Sequence, residues 1–334
     1  MKIVRKFCLY LTIAVFAVCT PFSVPTVLPQ DSDTPAADSQ GRITISVKVN
    51  TVNVPVTVRK RDGGFIKGLS QDAFRIYEDG VPQEISLFTQ EALPTNIAIV
   101  LDISGSVGNA WGSIQHATRK FVEQLHPEDK FSLFTFNTQI RLKMDWGNNT
   151  DRMDQVLGSI FCTGNTKVWD TIWAIGSDAF KGIEGKKAII IMSDGMDNRS
   201  IKTYDEAVEE AVRSEAAVYI VSKTEALRQM YLYDKRKYGD PYGLFRPEDF
   251  VIADLALRNL AEKTGGRVLY PNSFGQLNDI YEEVIEELRN QYTIGYVSNN
   301  AINDGSYRNI DVRVNVPDSS VTARPGYYAP NEIP

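Results

Sequence analysis

Two apolar runs each end in an acid: Ile97-Ala-Ile-Val-Leu101 leads into Asp102-Ile-Ser104-Gly105-Ser106, and Ala188-Ile-Ile-Ile-Met192 leads into Ser193-Asp194-Gly195. Near-continuous runs of aliphatic and β-branched residues mark strands buried on both faces of a parallel sheet. Stretches with helical spacing lie between such runs, as parallel strands require. Together they predict an α/β fold, a doubly wound and mostly parallel sheet covered by helices on both faces. In such sheets ligands bind outside the carboxyl ends of the strands, which is where Asp102 and Asp194 emerge.

Asp102, Ser104 and Ser106 alternate along a turn that Gly105 keeps tight, so three oxygens converge on one point. A small hard cation suits an all-oxygen point, and magnesium is usually held by one or two carboxylates with several waters retained. The same five residues also read as a helix N-cap, because Ser and Asp satisfy free backbone N–H groups. Gly164-Asn165-Thr166 supplies a further hydroxyl just ahead of a helix-like stretch, Val168 to Phe180.

With Asp-x-Ser-x-Ser, Thr166 and Asp194 in this order, the chain resembles the von Willebrand factor type A domain with its metal-ion-dependent adhesion site. The resemblance implies a type A, Rossmann-like fold and a metal site of Asp102, Ser104, Ser106, Thr166 and Asp194. It implies Mg²⁺, with Mn²⁺ or Ca²⁺ as alternatives, and a protein ligand whose Asp or Glu carboxylate completes the shell. In that reading Asp197 and Asn198 steady the Asp194 loop and Lys167 tunes its charge, roles that simple solvation explains equally well. The wording Gly68-Leu-Ser-Gln-Asp-Ala-Phe74, Tyr77-Glu-Asp-Gly-Val-Pro-Gln83 and Gly326-Tyr-Tyr-Ala-Pro330 further resembles a bacterial family of exported type A-related proteins.

Residues 1–29 have the order of a secretory signal, with Lys2, Arg5 and Lys6 ahead of the apolar run Phe7 to Val18. That run is too short to span a bilayer. The expected location is therefore periplasm, cell surface or exterior, with no membrane span after signal removal. Residues 30–42, rich in Asp, Ser, Pro and Ala, read as a linker. With Cys8 and Cys19 in the signal, only Cys162 remains, and after Ile160-Phe161 it reads as a small buried apolar residue.

From 43 to 92 the pattern has period two: Ile43, Ile45, Val47 and Val49, then Val52, Val54, Val56 and Val58. Alternation of this kind predicts half-buried strands, with a short turn capped by Ser70 between them. Alternation returns over 291–334, in Tyr292–Val297, Asn309–Val316 and Val321–Arg324. Neither set buries enough alone, so the two are expected to pair into one β sandwich flanking a type A domain at 93–290.

Within 93–290 helices are expected at Ala110–Leu125, Asp151–Phe161, Val168–Phe180, Tyr204–Glu215, Ile252–Thr264 and Phe274–Asn290, and Lys130–Phe136 with Ile140–Trp146 reads as an edge hairpin. Asp279, Glu282, Glu283, Glu286 and Glu287 on the last helix read as a solvated face. A long segment between Lys223 and Phe250 carries Tyr231, Tyr233, Tyr238, Tyr242, Phe245 and Arg246. Aromatic and Arg residues are enriched at binding hot spots, so these six are candidate partner contacts, against a self-packed cover as the alternative.

A net charge of -6 and the lack of a Lys/Arg stripe exclude nucleic acid as the expected partner. Catalysis is not expected either: His116 and His126 lie beside no serine or cysteine motif. A metal-dependent phosphohydrolase is the sharpest enzymatic alternative, but the second acid that haloacid-dehalogenase-like enzymes carry two residues after the first is here Ser104. The remaining alternative is a structural part of a cell-surface or secretion assembly whose metal only holds loops in place.

Overall fold

The computed structural model describes residues 51–91, 93–222 and 247–331. The expected signal, linker and strand 43–50, and the tyrosine-rich segment 223–246 with its six candidate contacts, lie outside the described residues. Four strands come first: β1 (Thr51–Lys60), β2 (Phe74–Glu78), β3 (Val81–Gln83) and β4 (Ile85–Thr89). The α/β body follows with β5 (Thr95–Asp102), α1 (Trp111–Glu123), β6 (Lys130–Phe136), β7 (Ile140–Gly147), α2 (Met153–Gly158) and α3 (Val168–Ala174). It continues with β8 (Lys186–Ser193), α4 (Tyr204–Arg213), β9 (Ala217–Ser222), α5 (Pro247–Thr264), β10 (Val268–Leu269) and α6 (Leu277–Arg289). The described chain closes with β11 (Tyr292–Val297), β12 (Tyr307–Val314), β13 (Ser319–Ala323) and β14 (Gly326–Tyr328).

The central sheet has the order β10-β9-β8-β5-β6-β7, parallel except for the edge strand β7. Successive side chains of a strand point to opposite faces. Ile97, Ile99 and Leu101 accordingly pack against α1, α2 and α6, while Ala98 and Val100 pack against α3, α4 and α5. Burial on both faces is why β5 carries no polar residue from Ile97 to Leu101 and β8 none from Ala188 to Met192, and it makes the fold the doubly wound α/β class that the apolar runs predict.

Two further sheets, β13-β1-β11-β4 and β14-β12-β2-β3, are antiparallel. Val52, Val54, Val56 and Val58 of β1 share one core with Phe74, Ile76, Tyr292, Ile294, Tyr296 and Ile310. Each sheet thus mixes strands from before and after the α/β body. β4 and β11, the strands that lead into and out of that body, are neighbours, with Thr89 opposite Thr293.

Several expectations need correction. Ser70 precedes a short 3-10 turn but makes no side-chain cap. The helix expected over 151–161 is only Met153–Gly158, since the chain beyond it turns to place Thr163 N on the Ile103 carbonyl at 2.8 Å. The helix expected over 168–180 widens into a π turn at Ile175–Ala179, where Gly176 lies so close to α4 that a Cβ would sit 2.6 Å from the Glu210 carbonyl oxygen. Cys162 is only half-buried, against the edge of the core.

The acidic helix α6 is not solvated throughout. Glu287 is 1% exposed and accepts from Arg59 Nη2 at 2.8 Å and Arg267 Nε at 2.6 Å. Arg59 belongs to β1, so this carboxylate ties the sandwich to the α/β body. Arg324, after β13, makes a second tie by donating to Glu215 at 3.1 Å and to the Asn53 carbonyl at 2.8 Å. Among the described residues no helix is long and apolar enough to cross a membrane.

Candidate functional site

The chain leaves β5 for β6 on one side and adds β8 on the other, so the order of the sheet reverses beside β5. A crevice opens at such a switch point. Asp102 is the last residue of β5, and Asp194 follows the last residue of β8.

The first loop turns sharply after Asp102. Ile103 N donates to the Phe136 carbonyl at 2.8 Å, and Ser104 N donates to Asp102 Oδ1 at 2.9 Å. Ser104 begins a 3-10 turn, Gly105–Ala110, yet its side chain makes no cap, and the residue that precedes α1 is Ala110. Ser104 Oγ and Ser106 Oγ instead hydrogen-bond each other at 3.2 Å. Asp102 and Ser104 are buried, while Gly105 and Ser106 open to solvent. The rival N-cap explanation of these hydroxyls therefore fails on geometry.

The second loop is laced to the first. Gly105 N donates to the Gly164 carbonyl at 3.1 Å, alongside the bond from Thr163 N to Ile103. Gly164 turns with φ +84°, a value glycine adopts without strain. Buried Asn137, just past β6, donates from Nδ2 to the Thr163 carbonyl at 2.8 Å and accepts from Lys167 N on its own carbonyl at 3.1 Å. Thr166 is buried between these anchors.

The third loop meets both others. Ser193 Oγ donates to Asp102 Oδ2 at 3.4 Å and accepts from Gly195 N at 3.1 Å, while Asp194 Oδ1 accepts from Met196 N at 3.1 Å. Gly195 has φ +70°, and a Cβ there would meet Leu257 of α5 at 2.9 Å. Asn198 exchanges two bonds with Thr166: Thr166 N donates to Asn198 Oδ1 at 3.1 Å, and Asn198 N donates to the Thr166 carbonyl at 3.2 Å. Asp197 Oδ1 accepts from Val168 N at 2.9 Å and from Ser200 Oγ at 2.7 Å. Asp197 and Asn198 thus join the second and third loops.

Below them Asp170 Oδ1 accepts from Ile201 N and Lys202 N, each at 2.8 Å, and Lys167 Nζ pairs with its other oxygen at 2.9 Å. Burial raises the Asp170 carboxyl pKa, but the bonds from Lys202, Lys167 and Ile201 outweigh it and hold the group below its ordinary value. Sequence reasoning missed Ser193, Asn137, Asp170 and Ser200. For Ser193, Asn137 and Ser200 the only advance signal was small polar residues at or after a strand end, and Asp170, in the first turn of α3, had none.

Asp102, Ser104 and Ser106 therefore share one turn, Ser193 links that turn to Asp194, and Thr166 stands on the loop bonded to both. The donor set is all oxygen, two carboxylates and three hydroxyls, which matches a hard divalent cation and not a soft or nitrogen-seeking one. Two ligands at right angles on a cation with bonds of about 2.1 Å lie about 3 Å apart, and the Ser104–Ser106 oxygens meet that spacing. Among the described residues no group of three His, Cys, Asp or Glu forms a metal cluster of another type. His126 lies just ahead of β6, at the opposite end of the sheet.

Residues 96–283, more than half of the chain, match the model of the von Willebrand factor type A domain, and the chain belongs to that family. The family comprises metal-dependent protein-interaction modules, and its adhesion site takes a divalent metal ion. No curated protein matches the chain. Similar solved structures include proximal thread matrix protein 1 from the mussel byssus, 15% identical, with a TM-score of 0.43 over 58% of this chain and 48% of that one. An aerotolerance-related membrane protein from Bacteroides fragilis is 14% identical, with a TM-score of 0.43 over 58% of this chain and 99% of that one. A von Willebrand factor type A protein from Catenulispora acidiphila is 11% identical, with a TM-score of 0.45 over 86% of this chain and 76% of that one. The chain spans about half the length of the mussel protein, which has also been solved with zinc in its adhesion-site motif.

Proposed function

We propose that the chain is an exported adhesion-type module in which Asp102, Ser104, Ser106, Thr166 and Asp194 hold one Mg²⁺ that takes a carboxylate from a protein partner. The observation that carries this reading is the release of Ser104 and Ser106 from capping: both hydroxyls lie beside a buried carboxylate at a strand end, bonded to each other. Asp102 and Asp194 supply two negative charges, Ser104 and Ser106 ligate through their hydroxyls, and Thr166 adds a third hydroxyl from the second loop. When bound, the cation would supply a Lewis-acidic centre able to take a carboxylate oxygen, beside a first loop that is open to solvent at Ser106. Mn²⁺ and Ca²⁺ share the oxygen preference and are the competing occupants.

A purely structural metal is the weaker reading, because the three loops are already held to one another through Gly105–Gly164, Thr166–Asn198 and Val168–Asp197. An ion is not needed to bring them together.

Calorimetric titration of Mg²⁺, Mn²⁺ and Ca²⁺ into the protein and into Asp102→Ala tests the assignment. The expected result is loss of binding by about a hundredfold or more in the variant, with an unchanged far-ultraviolet spectrum. Addition of acetate should tighten Mg²⁺ binding to the wild type. Full metal affinity in Asp102→Ala would refute the ligand set.

A further inference from the structure

We propose that the end of the sandwich where β3 meets the loop 298–306 is a docking surface for a basic partner segment that carries aliphatic side chains between its Lys or Arg residues. It uses no residue of the three metal-site loops.

A buried ion pair shapes this surface. Glu78, the last residue of β2, and Arg308, near the start of β12, are 3% and 2% exposed beside a core that is otherwise apolar. Glu78 Oε2 accepts from the Tyr296 and Tyr327 hydroxyls at 2.8 and 3.0 Å, and Oε1 accepts from Ser298 Oγ at 2.5 Å and from Arg308 Nη1 at 3.4 Å. Arg308 also donates to the loop, from Nη1 to the Asn300 carbonyl at 2.7 Å and from Nη2 to the Ile302 carbonyl. Asn299 ties the loop to β3, its N–H donating to Gln83 Oε1 at 3.0 Å and its Nδ2 to the Pro82 carbonyl at 3.5 Å. Taking two charges out of water is costly. Here the pair fixes the backbone of a surface loop, and binding residues concentrate on loops that a rigid scaffold positions.

The loop and β3 present apolar side chains together. Val81 is 52% exposed and Ile302 is 64% exposed, with Ala301 exposed beside it. Val81 stands opposite Glu78 in the antiparallel pair, so the two project to the same face of the sheet. The Ile302 carbonyl lies on the guanidinium that Glu78 also binds. Both side chains therefore sit around one ion pair, on backbone that is already ordered. Scattered single apolar residues need no explanation, but a group on fixed backbone loses little conformational entropy on binding.

The charges around the group select the partner. Among the described residues the exposed charges nearest to it along the chain are Asp79, two residues before Val81, Glu84, next to the Gln83 that binds the loop, and Asp304, two residues past Ile302. All three are acids. Hydrogen bonds from the Ser306 hydroxyl and N–H hold the Asp304 carboxyl below its ordinary pKa. The cations of the adjoining elements are matched: Arg308 by Glu78, Arg324 by Glu215, Arg213 by Glu209, and Arg313 by Asp311 further along β12. A basic segment is complementary to the remaining negative charge, and an acidic one is repelled. Val81, Ala301 and Ile302 then take its aliphatic side chains, and Glu84 and Asp304 its cations.

The test titrates three synthetic peptides, Ac-Lys-Leu-Lys-Leu-Lys-NH₂, Ac-Lys-Gly-Lys-Gly-Lys-NH₂ and Ac-Glu-Leu-Glu-Leu-Glu-NH₂, into the full chain with saturating Mg²⁺. The first should bind about tenfold tighter than either of the others, a difference of about 1.4 kcal/mol. Val81→Ser/Ile302→Ser should remove the preference for leucine over glycine. Glu84→Gln/Asp304→Asn should remove the preference for lysine over glutamate, and its amide at 304 keeps an acceptor for the Ser306 N–H. Asp102→Ala should leave all three affinities unchanged. Equal affinities for the three peptides, no binding of any, or preferences that survive both double variants overturn the inference. Loss of the preferences in Asp102→Ala assigns the peptide to the metal site and overturns it as well. A dimer in sedimentation velocity that Val81→Ser/Ile302→Ser dissolves gives the surface to a second copy instead. Binding that emerges only in Arg42→Ser/Lys48→Ser gives it to the chain's own basic and aliphatic stretch ahead of β1, and each of these two outcomes also overturns the inference.

Discussion

Replacing Glu287 with Ala should cost about 3 kcal/mol of stability and loosen the sandwich from the α/β body. Removal of one partner from a buried ion pair costs about 3–5 kcal/mol, because the other charge is left unmatched. The lower end applies here. Arg267 keeps Glu283 at 2.7 Å, and Arg59 keeps the Gly63 carbonyl at 3.1 Å and its place over the Phe65 ring. Their side chains are also 29% and 19% exposed, so water reaches both guanidinium groups. With a urea slope of about 3 kcal/mol/M, at the upper end of the usual range, the midpoint should fall by about 1 M. Tryptophan fluorescence reports the body, where Trp111, Trp146, Trp169 and Trp173 all lie, and far-ultraviolet circular dichroism reports the whole. The two curves should separate in Glu287→Ala and coincide in the wild type. Glu283→Ala is the control: that carboxylate is 41% exposed and should cost under about 1 kcal/mol. Equal losses from the two variants would refute the argument from burial.

Two further outcomes can be checked on the same apparatus. Gly266→Ala should destabilise by about 3 kcal/mol or more, since its Cβ would fall 2.1 Å from the Val218 carbonyl oxygen of β9; Gly112→Ala, in open space on α1, should instead stabilise by up to about 1 kcal/mol. Desolvation pushes the Lys186 ammonium down to about 8, against the opposing pull of Asp129 and Glu287. Because the folded-state value lies below the unfolded one, the unfolded chain binds more protons between about pH 8 and 10.5, and this group makes stability rise with pH across that window. Urea midpoints measured over pH 7–10.5 should lose that rise in Lys186→Met.

The elements legible in advance are those whose cause is local. β5, β8 and β9 are apolar runs because both faces are buried, and β1 alternates because one face is. Asp102, Ser104 and Ser106 form a cluster within five residues, which any reading of the chain meets. What was not legible depends on pairs distant in sequence. Glu287 looks like one more solvated acid on α6 until Arg59, 228 positions away, is brought beside it. The lacing by Asn137, Asp170 and Ser200 depends on which loops adjoin, and no period in the sequence encodes that. Helix ends shifted for a similar reason: the π turn after α3 follows from the close approach of α4 at Gly176, a contact from outside the segment.

The mixed parentage of the sandwich sets an order on biosynthesis. Among the described residues β1 has only β11 and β13 as sheet neighbours, and β4 has only β11. Both are therefore made long before the described strands they pair with, and the Val52–Val58 stripe waits for β11 and β13 while the whole α/β body emerges. The body's own strands find one another within that interval, so it can close first. Its closure brings the two ends that leave it to the places where Thr89 and Thr293 meet. The strands that follow the body thus complete a sheet begun by those that precede it, and a chain released before β11 would leave β1 and β4 without their β11 edge.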